Sequence, residues 1–515
     1  QFIEVLRYDI TNAKSISDNT ISSIYQDNGG VFWVGTYRGL NKWNTATANF
    51  DFFRYQANKE KSLSNPNINT IFNASNDHVW VGTRDGLNLV DLVSGNITQF
   101  KADANNENSI RSNNITALFT QSKSELWLGY RGEGLTHIDR TTGEHTHYQN
   151  IKDNENSLGA NGVTAIQGSR SGELWVGAFN GGLNKFDKET GKFRRYMHSP
   201  ENGFSLSSNA VTSIYEDSRQ MLWVGTFDSG VNLFNPALGT SKRIQNNEND
   251  MYSLGNNQVW AVHEDKKGNI WIGTAGAGLN FLSAANRQSG VYKFERIGRE
   301  QGLPSSVVFS ILEDTNGMLW LSTNRGITKF NPETKQMLNY DSSHGLQGNE
   351  FNAGAYHKMP DGKFLFGGTN GVTAFYPDDI EPNKHVPPVV LTNFQRLNEV
   401  SAMSSSKTHQ NKIIVSHKDY LIAFEFAGLD FASPDNNRYA YKLDGFDEDW
   451  VEARDVRKAT YTNLPAGNYV FKVKASNNDG VWNETGAGIV LTVLPAPWFS
   501  WWAYTIYALI ILIAL

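Results

Sequence analysis

Apolar and polar positions alternate along most of this chain in short runs, the period of a β-strand with one buried face. Residues 205–245 show the unit clearly. SNAVTSIYED alternates, Ser218–Gln220 turn the chain, and MLWVGT forms a second run. Phe227–Gly230 turn it again, and VNLFN and TSKRIQ supply a third and a fourth strand. The second and third runs return as FWVGTYRGLNKW, VWVGTRDGLNLV, LWLGYRGEGLTHI, LWVGAFNGGLNKF, LWVGTFDSGVNLF, IWIGTAGAGLNFL, LWLSTNRGITKF and FLFGGTNGVTAF. Their anchors Trp33, Trp80, Trp127, Trp175, Trp223, Trp271, Trp320 and Phe366 lie 46 to 49 residues apart. Four strands per unit, at that period and without a helical stretch, predict the blades of a β-propeller, with each anchor ring filling space between blades.

Closure has two readings. The last unit, Asn349 to Asp379, has three strands and then meets Pro382, Pro387 and Pro388, so its fourth strand must come from elsewhere. Residues 2–9, FIEVLRYD, match an orphan fourth strand, and pairing them with the last unit closes eight blades by simple counting. In the other reading the first unit belongs to another ring. Units two to eight then close as seven blades through FDFFRYQA at 50–57. The propeller is assigned residues 1–380.

Beyond the linker the alternating runs lengthen: VVLTNFQRL, KIIVSH, LIAFEFAGL, RYAYKLDG, KATYTNL, NYVFKVKASN and AGIVLTVL. Seven such strands without a helix signal predict an immunoglobulin-like β-sandwich over 381–495. Tyr441 and Trp482 are expected in its core. From Trp498 to Leu515 no residue is charged. The aromatic belt of Trp498, Trp501, Trp502, Tyr504 and Tyr507 and the aliphatic run after it predict the start of a transmembrane helix over 496–515, cut before its far end. The fold class is therefore all-β, a propeller and a sandwich followed by a membrane helix.

Composition narrows the function. The formal net charge is -6, with no basic excess to neutralise phosphates, so a nucleic-acid partner is not expected. No cysteine is present, which excludes disulfides, thiolate metal sites and cysteine nucleophiles. Gln1–Ile10 is amphipathic and does not read as a signal peptide.

The blade phrase N.V.SI.ED..G.LWVGT..GGLN.FD resembles the two-component-regulator propeller repeat. The segments from Tyr439 to Trp450, Tyr461 to Tyr469 and Lys474 to Trp482 resemble the three-Y domain that follows such propellers in bacterial hybrid two-component sensors. LPAPWFSWWAYTIY is similar to the join between that domain and the membrane helix. The resemblance covers essentially the whole chain. It implies a periplasmic ligand-binding region anchored in the inner membrane, with a small molecule or glycan fragment as ligand. It also implies a histidine kinase or diguanylate cyclase output outside this chain. The family usually has about fourteen repeats in two seven-bladed rings, and this chain has eight. Output by such enzymes needs two helices side by side, so a homodimer is expected. The proline-stiffened join Leu494–Pro497 is expected to couple sandwich to helix rigidly.

Catalytic constellations are weak. His145 and His147 share one strand face but lack a third ligand at metal spacing, so no metal and no cofactor is expected. Asp265–Trp271 and Asp314–Trp320 resemble the Asp-box turns of sialidase propellers, which are structural turns. Arg38, Arg84, Arg131 and Arg325 are the only hint of a membrane-tethered glycan enzyme, and no matched carboxylate pair accompanies them. Binding fits better. The turns between second and third strands emerge beside the inter-blade loops around the funnel. They carry Tyr37, Arg38, Arg84, Asp85, Tyr130, Arg131, Glu133, Phe179, Asn180, Phe227, Asp228, Asn324, Arg325 and Asn370. Aromatic faces beside forked polar groups suit the C–H faces and hydroxyls of a carbohydrate.

Overall fold

Alternation is realised as strands almost throughout. The computed structural model describes residues 6–10, 15–44, 49–57, 59, 61–106, 108–396, 399–402, 412–499 and 501–515. The chain divides into two units: 47–380, and 1–46 together with 381–515.

Among the described residues, 47–380 form seven four-stranded antiparallel sheets. In the first six the strands follow chain order, with spans 68–100, 115–148, 163–196, 211–244, 259–297 and 310–340. We number these blades 1 to 6. Blade 7 is Phe351–Lys358, Phe364–Gly368 and Gly371–Phe375, and its fourth strand is Asp51–Phe53. That strand pairs Phe53 with Val372 and Asp51 with Ala374. Each first strand packs on the first strand of the next blade, and Phe351–Lys358 returns to Ile68–Asn73. The ring thus closes as seven blades, and the count of eight does not hold. Of the segment expected to close it, residues 2–5 lie outside the described residues and Leu6–Asp9 form no strand. The first repeat unit is a separate three-stranded sheet, Ile21–Gln26, Val31–Thr36 and Gly39–Asn44.

The repeated phrase explains the closure chemically. In every blade a glycine amide of the second-to-third turn donates to a carbonyl just before the next blade. Gly86 reaches Asn113 (2.7 Å), Gly230 reaches Asn257 (2.8 Å) and Gly326 reaches Asn349 (2.7 Å). Gly371 to Pro66, at 2.9 Å, completes the circle. At Gly230 φ is 76° and an added Cβ would lie 2.2 Å from the Ile244 carbonyl oxygen, so only glycine fits. The asparagine of GLN or VNL is fully buried in Asn88, Asn184, Asn232 and Asn280. Its Oδ1 accepts from the incoming loop, as from Ser207 to Asn232 at 2.8 Å, and its Nδ2 donates to the second strand. Left unpaired, such an amide would oppose folding; paired, it fixes the loop against the blade.

The anchor rings are buried from Trp80 to Phe366. Where an aspartate precedes the tryptophan by six residues, its carboxylate holds the turn and accepts the indole N–H. The distances are 2.9 Å for Asp217–Trp223, 2.8 Å for Asp265–Trp271 and 2.9 Å for Asp314–Trp320. These Asp-box-like turns are therefore structural. Ala74, Gln121 and Ser169 occupy that position in blades 1 to 3, and there the indoles of Trp80, Trp127 and Trp175 lack a partner. Blade 5 departs from the helix-free expectation. A one-turn helix α1 (Ala284–Gln288) buries Arg287, which pairs with Asp217 of blade 4 at 2.8 Å and with Glu264.

The sandwich has nine strands among the described residues. Glu399–Ala402, Val389–Arg396, Leu421–Gly428 and Lys458–Thr462 make one sheet. The other runs Lys412–Val415, Ala487–Val493, Gly467–Ser476, Arg438–Asp444 and Val451–Arg454. All seven predicted strands are present, and Glu399–Ala402 and Val451–Arg454 are added edges. Phe424 and Phe471 stack at 4.1 Å in the core. Buried Tyr439, Tyr461 and Tyr469 each keep a hydroxyl partner, respectively Gly428 N–H, Asp447 and the Pro465 carbonyl. Tyr441 and Trp482 are only half-buried: Tyr441 shares the core face with Tyr439 and packs against Phe426, Tyr461 and Phe471, and Trp482 lies under the ammonium of Lys474.

Helix α2 (Trp501–Ala514) has 14 residues, about 21 Å at the α-helical rise, and buries only Ala503. No helix among the described residues is long and apolar enough to cross a membrane. The predicted span is thus seen only as this shorter apolar helix.

Candidate functional site

Because the glycine bonds tie each second-to-third turn to the loop entering the next blade, turns and loop ends share one face of the ring. Equivalent turn positions differ in chemistry. Arg84 and Arg131 occupy blades 1 and 2, Phe179 and Phe227 blades 3 and 4, Asn324 and Arg325 blade 6, and Asn370 blade 7. Tyr37 and Arg38 belong to the separate sheet of the first repeat, where Arg38 lies 3.4 Å from Asp18. They are therefore not turn residues of this ring.

The remaining predicted residues divide. Tyr130 is fully buried, its hydroxyl accepting from the Arg111 amide at 3.2 Å, and burial pushes its pKa up. It supports the turn and is not presented to a ligand. Asp85 is held by Lys101 (2.6 Å) and Asn113 (3.1 Å), and Glu133 accepts from Gln149 (3.1 Å). Asn324 accepts from Ser305 at 2.5 Å, and Asn370 donates to the Gln347 carbonyl at 2.7 Å. Arg84, Arg131, Phe179, Asn180, Phe227, Asp228 and Arg325 are exposed. Asn180 sits at φ 62°, a left-handed turn position that asparagine tolerates.

Aromatic rings form a continuous arc across blades 3 to 6. Phe179 meets Phe227 at 5.8 Å, Phe227 meets Trp260 at 6.0 Å, and Trp260 meets Phe309 at 6.3 Å between centroids. Phe179 and Phe227 are each 42% exposed. Trp260 and Phe309 were not singled out in the sequence, although aligning the repeats reveals them. At that inner-strand position Asn69, Thr116, Thr164, Thr212 and Asn352 bond the next blade, as Thr116 does to the Val163 carbonyl at 2.6 Å. Blades 5 and 6 replace this small polar link with a large ring. The Trp260 indole N–H is buried and has no partner.

The arc borders the central channel, which encloses about 300 Å³ among residues such as Thr116, Thr164, Thr212, Trp260 and Tyr356. At the opposite mouth His357 packs on Phe72 at 4.9 Å, and burial lowers its pKa to about 4. His145 and His147 have ring centroids 6.4 Å apart, with Nδ1 atoms directed to Ser109 and Thr136. No group of three potential metal ligands gathers among the described residues.

Fold and face define a class, a repeat propeller with its turns displayed on one face, accompanied by a tyrosine-rich immunoglobulin-like sandwich. The chain carries two component regulator propeller repeats, matched at 15–38, 62–85, 205–228, 253–276 and 302–325, and a Y_Y_Y domain at 430–494. It is 40% identical over 232 residues to histidine kinase P4 of Formosa agariphila, covering 43% of this chain and 17% of that protein. A solved extracellular domain from B. thetaiotaomicron, assigned to the hybrid two component system BT3049, matches with TM-score 0.78 and 26% identity. The match covers 96% of this chain and 64% of that domain. A second extracellular domain from B. thetaiotaomicron, of system BT4673, shares the fold at TM-score 0.51 and 20% identity, over 96% of this chain and 64% of its own length. The chain thus spans less than two thirds of each of these proteins.

Proposed function

We propose that this chain is the extracytoplasmic sensing part of a membrane-anchored receptor of the two-component type, and that it binds a carbohydrate on the turn face of its ring. The observation that carries the reading is the arc Phe179–Phe227–Trp260–Phe309, since exposed and half-buried rings on a face that also carries turn amides and guanidiniums suit a sugar's C–H faces and hydroxyls. The similarity to a solved extracellular sensor domain and to a histidine kinase supports the receptor context. The role is binding rather than catalysis, with a kinase or cyclase output beyond this chain. In this reading α2 continues into the inner membrane, and two copies pair to bring their outputs together.

Coupling runs through the sandwich. The Leu494 amide donates to the Val415 carbonyl at 2.9 Å, tying the start of the join to the sandwich, and Phe499 donates to Ala496 at 2.8 Å, closing the proline-containing join into a tight turn. Oligosaccharide titration by calorimetry tests the site. Phe227→Ala is expected to weaken binding at least ~10-fold with an unchanged melting temperature, since its ring is half in solvent. A Gly-Ser insertion between Leu494 and Trp498 in the full receptor is expected to preserve affinity and uncouple output; ligand-dependent output surviving it would refute rigid coupling.

A further inference from the structure

Charge on the turn face is as unevenly distributed as the aromatic rings. Arg84, Arg131 and Arg325 are exposed, and among the described residues none of their guanidiniums meets a carboxylate. Asp85 is already engaged with Lys101 at 2.6 Å, and Glu133 with Gln149 at 3.1 Å and Arg111 at 3.9 Å, while Glu350 at the blade 7 turn is exposed and lies beyond ion-pair distance of all three guanidiniums. Because Asp51–Phe53 closes the ring, blades 6, 7, 1 and 2 are consecutive. The three arginines therefore occupy one contiguous sector, with Asn370 and Glu350 of blade 7 between Arg325 and Arg84. Blades 3 to 5 hold the arc rings Phe179, Phe227 and Trp260 and the exposed acid Asp228, and blade 6 carries both the last ring, Phe309, and Arg325.

A neutral sugar needs donors and acceptors in balance, which asparagine and backbone amides supply. Three guanidiniums without counter-ions, on a chain whose formal net charge is -6, instead make a local well for anions. Their planar forks match carboxylate and sulfate oxygens. Resting on the reading of this face as a carbohydrate site, we infer that the ligand is an acidic glycan. Its anionic groups meet Arg84, Arg131 and Arg325 while a sugar ring stacks in the sector of Phe227 and Trp260. Carboxylate and sulfate share this chemistry, and the test separates them.

The protein is titrated with tetrasaccharides of polygalacturonate and alginate, which carry carboxylates only, and of κ-carrageenan, which carries sulfates only. Each is paired with its carboxyl-reduced or desulfated counterpart. At least one acidic probe is expected to bind, with its neutral counterpart at least ~10-fold weaker and with affinity falling as salt rises. The triple variant Arg84→Gln, Arg131→Gln, Arg325→Gln should lose at least ~10-fold for that probe and most of its salt dependence. Its melting temperature should stay put, because all three positions are exposed. Equal binding of the neutral counterpart, or wild-type affinity in the triple variant, overturns the inference and leaves the carbohydrate site standing. Failure of every acidic probe also overturns it. If the neutral probes fail as well, the reading of the face falls with it.

Discussion

The first repeat and the repeats of the ring have the same local chemistry and opposite surroundings. In the first repeat Asp27 accepts the Trp33 indole N–H at 2.9 Å, as Asp217 does for Trp223. Asn41 accepts the Ser17 amide at 2.8 Å and donates to the Val34 carbonyl, as Asn232 does with its own loop and strand. Yet Ile24 is 66% exposed where the equivalent Ile214 is 8%, and Leu40 is 67% exposed where Leu87 is 2%. The polar contacts are built within a blade, whereas most of the apolar burial comes from its neighbours. A repeat motif therefore specifies the inner three strands of a blade and their polar contacts, and its place in a ring hardly at all.

The sharpest way to break this contrast is truncation. A chain beginning at Thr47 should keep the ring's cooperative melting, whereas one beginning at Lys59 loses Asp51–Phe53, exposes a sheet edge and should aggregate. Equal melting of the two by calorimetry would remove the seven-blade closure. Next in size is the anchor ring. Trp223→Ala should cost about 3–5 kcal/mol in denaturant unfolding. Trp33→Ala should cost less than half as much, because its ring is only partly covered.

Acid should distinguish the ring as well. His357 has its pKa lowered by burial to about 4 from an ordinary 6.5. The unfolded chain therefore takes up the proton first, and stability falls as pH drops from about 6.5 to about 4. His357→Phe should flatten that part of the profile; an unchanged slope would place the titration elsewhere. The smallest effect is a gain. Ser169→Asp supplies the carboxylate that Trp175 lacks, and by analogy with Asp217 should add about 1 kcal/mol.

Much of this was legible in the sequence. Blade strands, anchor rings and the sandwich follow from alternation and period, because each is dictated within about fifty residues. Closure was not unique, since FIEVLRYD and FDFFRYQA carry the same pattern and only pairing with Gly371–Phe375 selects the second. Tyr130 read as a turn residue, but it lies one position inside, where the strand's last side chain points to the core. Trp260 and Phe309 were hidden because an aromatic residue on a strand, or immediately before one, ordinarily signals burial. Their meaning emerges only when five sister blades show small polar groups in the same place.

Hydrogen exchange with and without a bound oligosaccharide tests the central claim that the ring's turn face is the sensing surface. Protection is predicted at the turns 179–181 and 227–230 and at the strand starts around Trp260 and Phe309. Protection instead at the opposite mouth, around Ser218–Gln220 and Lys266–Gly268, with the turn face unchanged, would contradict the account.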